Sequence, residues 1–542
     1  MISLKELLPP TAISAVRLVR TRASVEGWHD RDEARGRREA LRRMAAQPLA
    51  PASGPPFLIF SFRGWYPHTA WESIIAHALR LRGVPIHIFN CGGELPICEV
   101  NFRGARPALA CRECVAYPDT IVEGLGMPRS LLRQYISERE RQEISDAVNR
   151  LHADEYAGWR WREQPIGALV RDSVFWFTRK STCSSPADID VYRQFLIAGA
   201  HLALVTPRLL EATRPRAVLQ LNGRFFAERI FNQFVPSSVP VATYECGWRR
   251  DTLGFDRLSE NGFADLDRPW LEWADRPLTA GENETLDDWI SSRAAGDMQR
   301  DFYIKFSTEG GENPLAALKL DPDRPTAVLF TNLVWDTAVL GRDDAFGSIR
   351  EWLVRTVEEF RARHDWQLII RIHPAEDLRP SQPSAERLQD VVDSLGELAP
   401  NIRLVPSTQS LSSYALMDSC RATLVYTSTA GLEAALRRRP VVVTARTYYR
   451  NRGFTIDVRD AADYRAQLED AMLNRQTDVQ LERARRFAYL LLFRYLKRIP
   501  VVHQRPGRFP ILAPSEVDDL LPGRLPEFDR LLDALVAGGP FV

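Results

Sequence analysis

Apolar positions along this chain fall into two successive stretches of alternating strand-like and helix-like character. Residues 57–62, apolar but for Ser61, read as a buried strand. After a turn at residues 64–68, apolar residues recur at helical spacing through residues 69–81, and residues 84–90 read as the next strand. Residues 217–221 and 239–244 are further strands, with a helix through Ile230 between them. The pattern restarts after Pro325 with strands at 327–330, 366–372 and 402–405. Ser348 is placed to cap a helix whose Ile349, Trp352, Leu353, Val357 and Phe360 share one face. Residues 411–417 read as a short helix, and residues 478–498 as a long, largely apolar one.

The most informative segment is LVYTSTAGLEAALRRRPVVVT, residues 424–444. It reads as strand, hydroxyl-rich turn, helix, strand. Thr427, Ser428 and Thr429 supply three hydroxyls and a natural N-cap; Leu432, Ala435 and Leu436 recur at helical spacing; residues 441–443 begin a buried strand. A turn at the carboxyl end of a parallel strand that feeds a helix N-terminus suits a phosphate-bearing ligand, because free N–H groups and the helix dipole face the anion. The same pattern also describes an ordinary capped strand–helix unit.

These alternations predict an α/β chain with two Rossmann-like, doubly wound domains facing a ligand cleft. The expected divisions are a basic helical extension at 1–50, a first domain at 51–315 with a helical insertion at about 125–210, a second domain at 316–475, and a closing helix with a C-terminal tail at 476–542. A length of 542 residues suits two or three domains. An apolar content of 45% and charged content of 26% are ordinary for a globular protein, and a net charge of +1 gives no global field for nucleic acid. No apolar run approaches the roughly 20 residues of a membrane span, and no signal-peptide pattern stands at the N-terminus, so a cytoplasmic location is expected. Ile13, Val16 and Val19 with Arg17, Arg20 and Arg22 form a basic amphipathic stripe. Such a stripe can lie on the inner, anionic membrane face, giving a membrane-peripheral protein, or pack on its own domain with its arginines solvated.

Candidate chemistry sits where strands end. Arg371 and His373 are two apart and expected on one strand face, before Pro374 stops the strand; a basic pair there suits a nucleotide phosphate. Glu433, in the first turn of the helix after residues 427–429, complements the helix dipole or accepts from ribose hydroxyls. In YECGWRR, residues 244–250, Glu245 is a candidate general base, and Arg249 and Arg250 can hold an acidic acceptor or donor; a solvated loop would look the same. Asn332 and Asp336 follow the first strand of the second domain and can make polar contacts to a donor. Cys91, Cys98, Cys111 and Cys114 can complete a tetrahedral structural zinc site, or remain reduced thiols. No P-loop, no GxGxxG after a strand and no HExxH is present, so a nicotinamide cofactor has no support.

Taken in order, YECGWRRDTLG from Tyr244, TNLVWDTAVLGRDDAF from Thr331, RIHPAE from Arg371, YTSTAGLEAALRRRPVVV from Tyr426 and YYRNRGFTIDV from Tyr448 resemble bacterial capsule and surface-polysaccharide biosynthesis glycosyltransferases. The similarity is greatest to the branch of capsular Kdo transferases, which pair an acidic-Gly motif in the N-terminal domain with His-Pro and Ser/Thr motifs in the C-terminal one. The resemblance implies a GT-B fold, with an acceptor-side first domain and a nucleotide-sugar-binding second domain. It implies transfer of a sugar, from a CMP-activated donor, to a glycan or lipid-linked glycan acceptor. His373 and Pro374 match the His-Pro motif, Ser428 and Thr429 the hydroxyl motif, and Glu245 and Gly247 the acidic-Gly motif, where the catalytic carboxylate is expected. On this reading the positive groups stabilise the departing nucleotide, and no cofactor is required for the chemistry. The family pattern has two acidic residues before the glycine, and Cys246 stands at the second. Two alternatives follow: a nucleotide-sugar epimerase of similar architecture, and a non-catalytic glycan-assembly module that keeps the fold.

Overall fold

The computed structural model describes residues 31–102, 107–258, 264–294, 313–377, 383–504 and 510–542. The basic stripe around Arg17 lies outside them. Contacts divide the chain into two compact units: Met1–Phe177, Ser184–Phe263 and Leu496–Phe541 form the first, and Thr178–Cys183, Ala264–Tyr495 and Val542 the second. In chain order the strands of the two large sheets are β1 (Phe57–Phe60), β2 (Ile86–Asn90), β3 (Arg129–Leu131), β4 (Ala217–Leu221), β5 (Val241–Cys246), β6 (Thr252–Arg257), β7 (Thr326–Phe330), β8 (Gln367–Arg371), β9 (Ile402–Val405), β10 (Ala422–Val425), β11 (Val441–Val443), β12 (Ile456–Asp457) and β13 (Lys497–Arg498).

The first unit is built on a seven-stranded sheet of order β13-β6-β5-β4-β1-β2-β3. Its members β1 to β5 pair in parallel, which buries both faces and explains the uninterrupted apolar run FLIF and the wholly buried AVLQL. Helix Tyr66–Leu81 packs Trp71, Ile74, Ile75 and Leu79 into a core shared with Phe57, Ile59, Leu219, Leu531 and Leu535. Helices Glu138–Asn149 and Pro186–Thr213 each open on a capping box, at Ser137 and Ser185. Helix Pro186–Thr213 is long and apolar enough to cross a membrane by length and composition, contrary to expectation, but 72% of its apolar window is buried, as a core helix requires.

The second unit carries a six-stranded, wholly parallel sheet of order β12-β11-β10-β7-β8-β9. Ser348 Oγ accepts from Glu351 N at 3.2 Å, starting helix Ile349–Arg361 as its sequence indicates. Both sheets share one winding rule. The chain lays down β7, β8 and β9 in one direction, then returns to the other side of β7 for β10, β11 and β12; β1 to β3 and then β4 and β5 do the same. The reversals fall between β7 and β10, and between β1 and β4. At such reversals the flanking loops part and leave a crevice beyond the carboxyl ends of the strands. The two Rossmann-like α/β sheets expected from the sequence are therefore the ones observed.

Three details differ from the sequence expectation. The stretch 478–498 is not one helix: Asp478–Tyr489 is α-helical, Leu490–Tyr495 widens into a π turn, and β13 then pairs antiparallel with β6. Local periodicity cannot register that the far edge of β6 offers unpaired backbone groups. For the same reason residues 496–541 belong to the first unit and not to a separate closing element. Residues 264–294 belong to the second unit, ahead of its first strand, because Trp270 stacks edge-on to Phe487 at 5.5 Å and Arg485 reaches Asn283 and Asp287.

Candidate functional site

In the second unit, the carboxyl ends of three adjacent strands bring the expected residues together. Thr331 and Asn332 follow β7, His373 follows β8, and Thr427–Thr429 follow β10. Thr331 Oγ1 accepts from His373 N at 2.8 Å, and Asn332 Oδ1 accepts from Thr427 N at 3.4 Å. Those two bonds tie β8 and β10 to the β7 loop across the topological reversal. His373 Nδ1 accepts from Ala375 N at 3.1 Å and caps the short 3-10 turn Pro374–Glu376. With Nδ1 an acceptor, the neutral ring carries its proton on Nε2, the nitrogen suited to donate to an oxyanion. Asn332, His373, Ser428 and Thr429 are each half-buried. The Thr427 hydroxyl is buried and has no hydrogen-bond partner. Tyr449 Oη donates to Ser428 O at 2.5 Å and holds the hydroxyl-rich turn from below.

Other expected donor contacts are placed differently. Arg371 is buried, and its guanidinium donates to Pro406 O at 2.7 Å and Gln409 O at 3.1 Å; burial lowers its pKa to about 10. It secures the loop after β9 and does not pair with His373 across the edge. Glu433 accepts from Arg293 at 2.6 Å and is bonded to Tyr414, so its carboxylate is already paired within the unit. Thr429 is the N-cap of helix Ala430–Leu436 by backbone position, yet its side chain caps nothing; Ser428 Oγ accepts from Ala430 N at 3.3 Å instead. Asp336 Oδ1 accepts from Ala338 N at 2.9 Å within the β7 loop.

In the first unit, Glu245 lies within β5, opposite Gly254 of β6, and not in a loop beyond it. Its Oε2 accepts from Asn222 Nδ2 at 2.7 Å, and its Oε1 from Cys246 N at 2.8 Å. Asn222 stands at the end of β4, beside the reversal. Gly247 is required by close approach: a Cβ there would stand 2.2 Å from Thr252 Oγ1 and 2.9 Å from Thr252 O. His68, Glu245 and Cys246 each offer an atom within 4.8 Å of the others'. Burial depresses the His68 pKa to about 4, against the raising effect of Glu245 and with Arg63 adding to the fall, and its buried Nδ1 has no partner. His68 is thus a neutral imidazole beside the carboxylate at neutral pH. Arg249 and Arg250 lie in the β5–β6 turn, the first half-buried and the second exposed. Cys91, Cys98, Cys111 and Cys114 are all free thiols.

Sequence reasoning missed Asn222, His68, Thr331, Tyr449 and Arg63. Arg63 is buried between Glu99 and Glu228, at 2.6 Å from each, and these carboxylates outweigh burial to hold its pKa above the ordinary value. One usable signal existed for Asn222: it is the residue immediately after a strand.

Residues 309–491, less than half of the chain, match the family described as "Capsule polysaccharide biosynthesis protein". The expected resemblance to capsule polysaccharide biosynthesis proteins is borne out over that segment, which contains every motif of the second unit named above. No curated protein matches the chain. Among solved structures, a beta Kdo 2,7 transferase (KpsC) of Thermosulfurimonas dismutans is 15% identical, with a TM-score of 0.34 over 62% of this chain and 90% of its own. The calicheamicin glycosyltransferase CalG4 is 14% identical, with a TM-score of 0.28 over 81% and 95%. A UDP-GlcNAc 2-epimerase of Neisseria meningitidis is 13% identical, with a TM-score of 0.22 over 86% and 98%.

Proposed function

We propose, from the match over residues 309–491, that this chain is a glycosyltransferase of capsule or surface-polysaccharide synthesis, moving a sugar from a nucleotide-activated donor to a glycan or lipid-linked glycan acceptor. The observation that carries the reading is the convergence of Asn332, His373 and the Thr427–Ser428 turn at the strand reversal of the second unit. There His373 Nε2–H and the hydroxyl-rich turn would donate to the donor's phosphate oxygens. Donors aimed at charge that develops as the nucleotide departs lower the barrier more than they tighten the ground state. A CMP-sugar is the donor expected from the motif set.

Glu245 would act as the general base. Asn222 and the Cys246 amide fix its rotamer, and the neutral imidazole of His68 adds no competing charge. A positioned general base contributes roughly 10²–10⁴-fold to rate. Nucleotide release from candidate CMP-sugars, with glycan acceptors supplied, tests this role: Glu245→Gln should lower turnover by about that factor and leave nucleotide affinity unchanged. Equal turnover in the variant would remove Glu245 from the mechanism. One observation favours the non-catalytic alternative, namely Cys246 at the second acidic position of the motif; nucleotide binding without turnover across a broad donor and acceptor panel would support it.

A further inference from the structure

His68, Glu245 and Cys246 converge at the end of β5 as a set of three different donor types, more than a lone general base needs. Among the described residues they are the one group of three or more His, Cys, Asp or Glu side chains whose ligand atoms all lie within 4.8 Å of one another; the four clustered cysteines do not meet that spacing. Successive strand residues ordinarily point to opposite faces. Here Glu245 Oε1 accepts from Cys246 N at 2.8 Å, which turns the carboxylate along the strand toward its neighbour. Glu245 Oε2 accepts from Asn222 Nδ2 at 2.7 Å. Each carboxylate oxygen has two lone pairs, so both retain acceptor capacity. His68 stands in the first turn of helix Tyr66–Leu81, against the rings of Trp65, Trp71 and Tyr244, with centroids 5.7, 5.8 and 5.7 Å away. Its buried Nδ1 has no hydrogen-bond partner. Gln504 Nε2 lies 3.9 Å from Cys246 Sγ. Arg63, 5.7 Å from the Trp65 ring centroid, is already paired with Glu99 and Glu228.

We propose that His68, Glu245 and Cys246 form a three-donor site for Zn²⁺, with the fourth position open to water or a ligand. Zinc accepts nitrogen, oxygen and sulfur donors together, whereas magnesium and calcium take oxygen alone and iron–sulfur clusters favour thiolates. Tetrahedral bonds of about 2.0–2.3 Å place ligand atoms roughly 3.5 Å apart, so side-chain adjustments of about 1 Å complete the site. Two donors sit on a strand and one on a helix, and Asn222 holds the carboxylate from outside, which fixes their positions in advance. As the Zn–S bond forms, the Cys246 S–H bond breaks and its proton passes to solvent; thiolate and carboxylate then balance the charge of the ion. The site stands on donor geometry and does not depend on the transferase reading. An ion bound there engages Glu245, so zinc acts as an inhibitor of the transfer proposed above and not as its cofactor.

The full chain, reduced with a phosphine, is titrated with Zn²⁺ by calorimetry and with Co²⁺ by absorption. The proposal expects saturable zinc binding and a thiolate-to-cobalt charge-transfer band. Cys246→Ser should abolish the band and weaken zinc by more than about tenfold, the lower end of what even an outer partner of a ligand costs. Glu245→Gln and His68→Ala should weaken zinc at least as much, while Cys111→Ser should change neither readout. Because a variant can misfold, the alkylation rate of Cys246 is also followed by peptide mass spectrometry in the wild type, where zinc should slow it by more than about tenfold. A charge-transfer band that survives Cys246→Ser, no band at all, or alkylation of Cys246 at the same rate with and without zinc would overturn the proposal. None of these readouts requires sugar transfer, so failure here leaves the transferase reading standing, and the reverse.

Discussion

At the scale of single residues, burial and partners decide which candidate groups are available for chemistry. Arg371 reads as a phosphate ligand in the sequence, but one nitrogen of its guanidinium donates to two carbonyls of the loop after β9. Arg371→Ala should therefore cost roughly 1–3 kcal/mol of stability by orphaning Pro406 O and Gln409 O. Thermal melting should shift down while the folded fraction still binds nucleotide; unchanged stability with lost binding would restore the phosphate role. Glu72 gives a pH prediction. It is buried, accepts from Tyr244 Oη at 2.8 Å, and burial raises its pKa to about 8 from an ordinary 4.5. The native state then holds a proton that the unfolded chain releases between those values. Its contribution is complete below the unfolded pKa and is lost as pH rises through about 8. Urea midpoints at about pH 5.5 and about pH 8.5 should differ less in Glu72→Gln than in wild type, and an equal difference would contradict the assignment.

At the scale of elements, the hydroxyl-rich turn is held by packing beneath it. A Cβ on Gly431 would stand 2.3 Å from Tyr449 Oη, the group that supports Ser428 O. Gly431→Ala should displace Tyr449, cost roughly 1–3 kcal/mol by overpacking, and weaken nucleotide binding about tenfold or more. Tyr449→Phe, which removes one hydrogen bond without a clash, should cost about 1 kcal/mol and weaken binding less. If Gly431→Ala leaves calorimetric affinity intact, the turn does not hold a ligand. The same elements show what was legible beforehand. Parallel strands such as β1, β4 and β11 announce themselves as short apolar runs, because both faces are buried. The His-Pro and Ser/Thr segments were placed correctly because each directly follows such a run. Glu245 was misplaced into a loop because β5 continues only by pairing with β6, a partner its own composition does not reveal. The Arg293–Glu433 pair, 140 residues apart, and the carbonyls that claim Arg371 are set by tertiary contacts with no local trace.

At the scale of the molecule, chain order and unit membership do not coincide. Leu496–Phe541 returns to the first unit, where β13 covers the edge of β6 and helix Pro526–Ala537 places Leu531 and Leu535 in the core. A chain ending at Tyr495 should therefore lose the first unit's cooperative melting transition; retention of that transition would show the C-terminal segment to be dispensable. The central claim is that the strand reversal in the second unit binds a nucleotide, and calorimetric titration of CMP, UDP, GDP and ADP into wild type and His373→Ala tests it most directly. The account predicts selective binding of CMP that His373→Ala abolishes or weakens at least tenfold; nucleotide binding indifferent to that substitution, or no binding of any of the four, would contradict it.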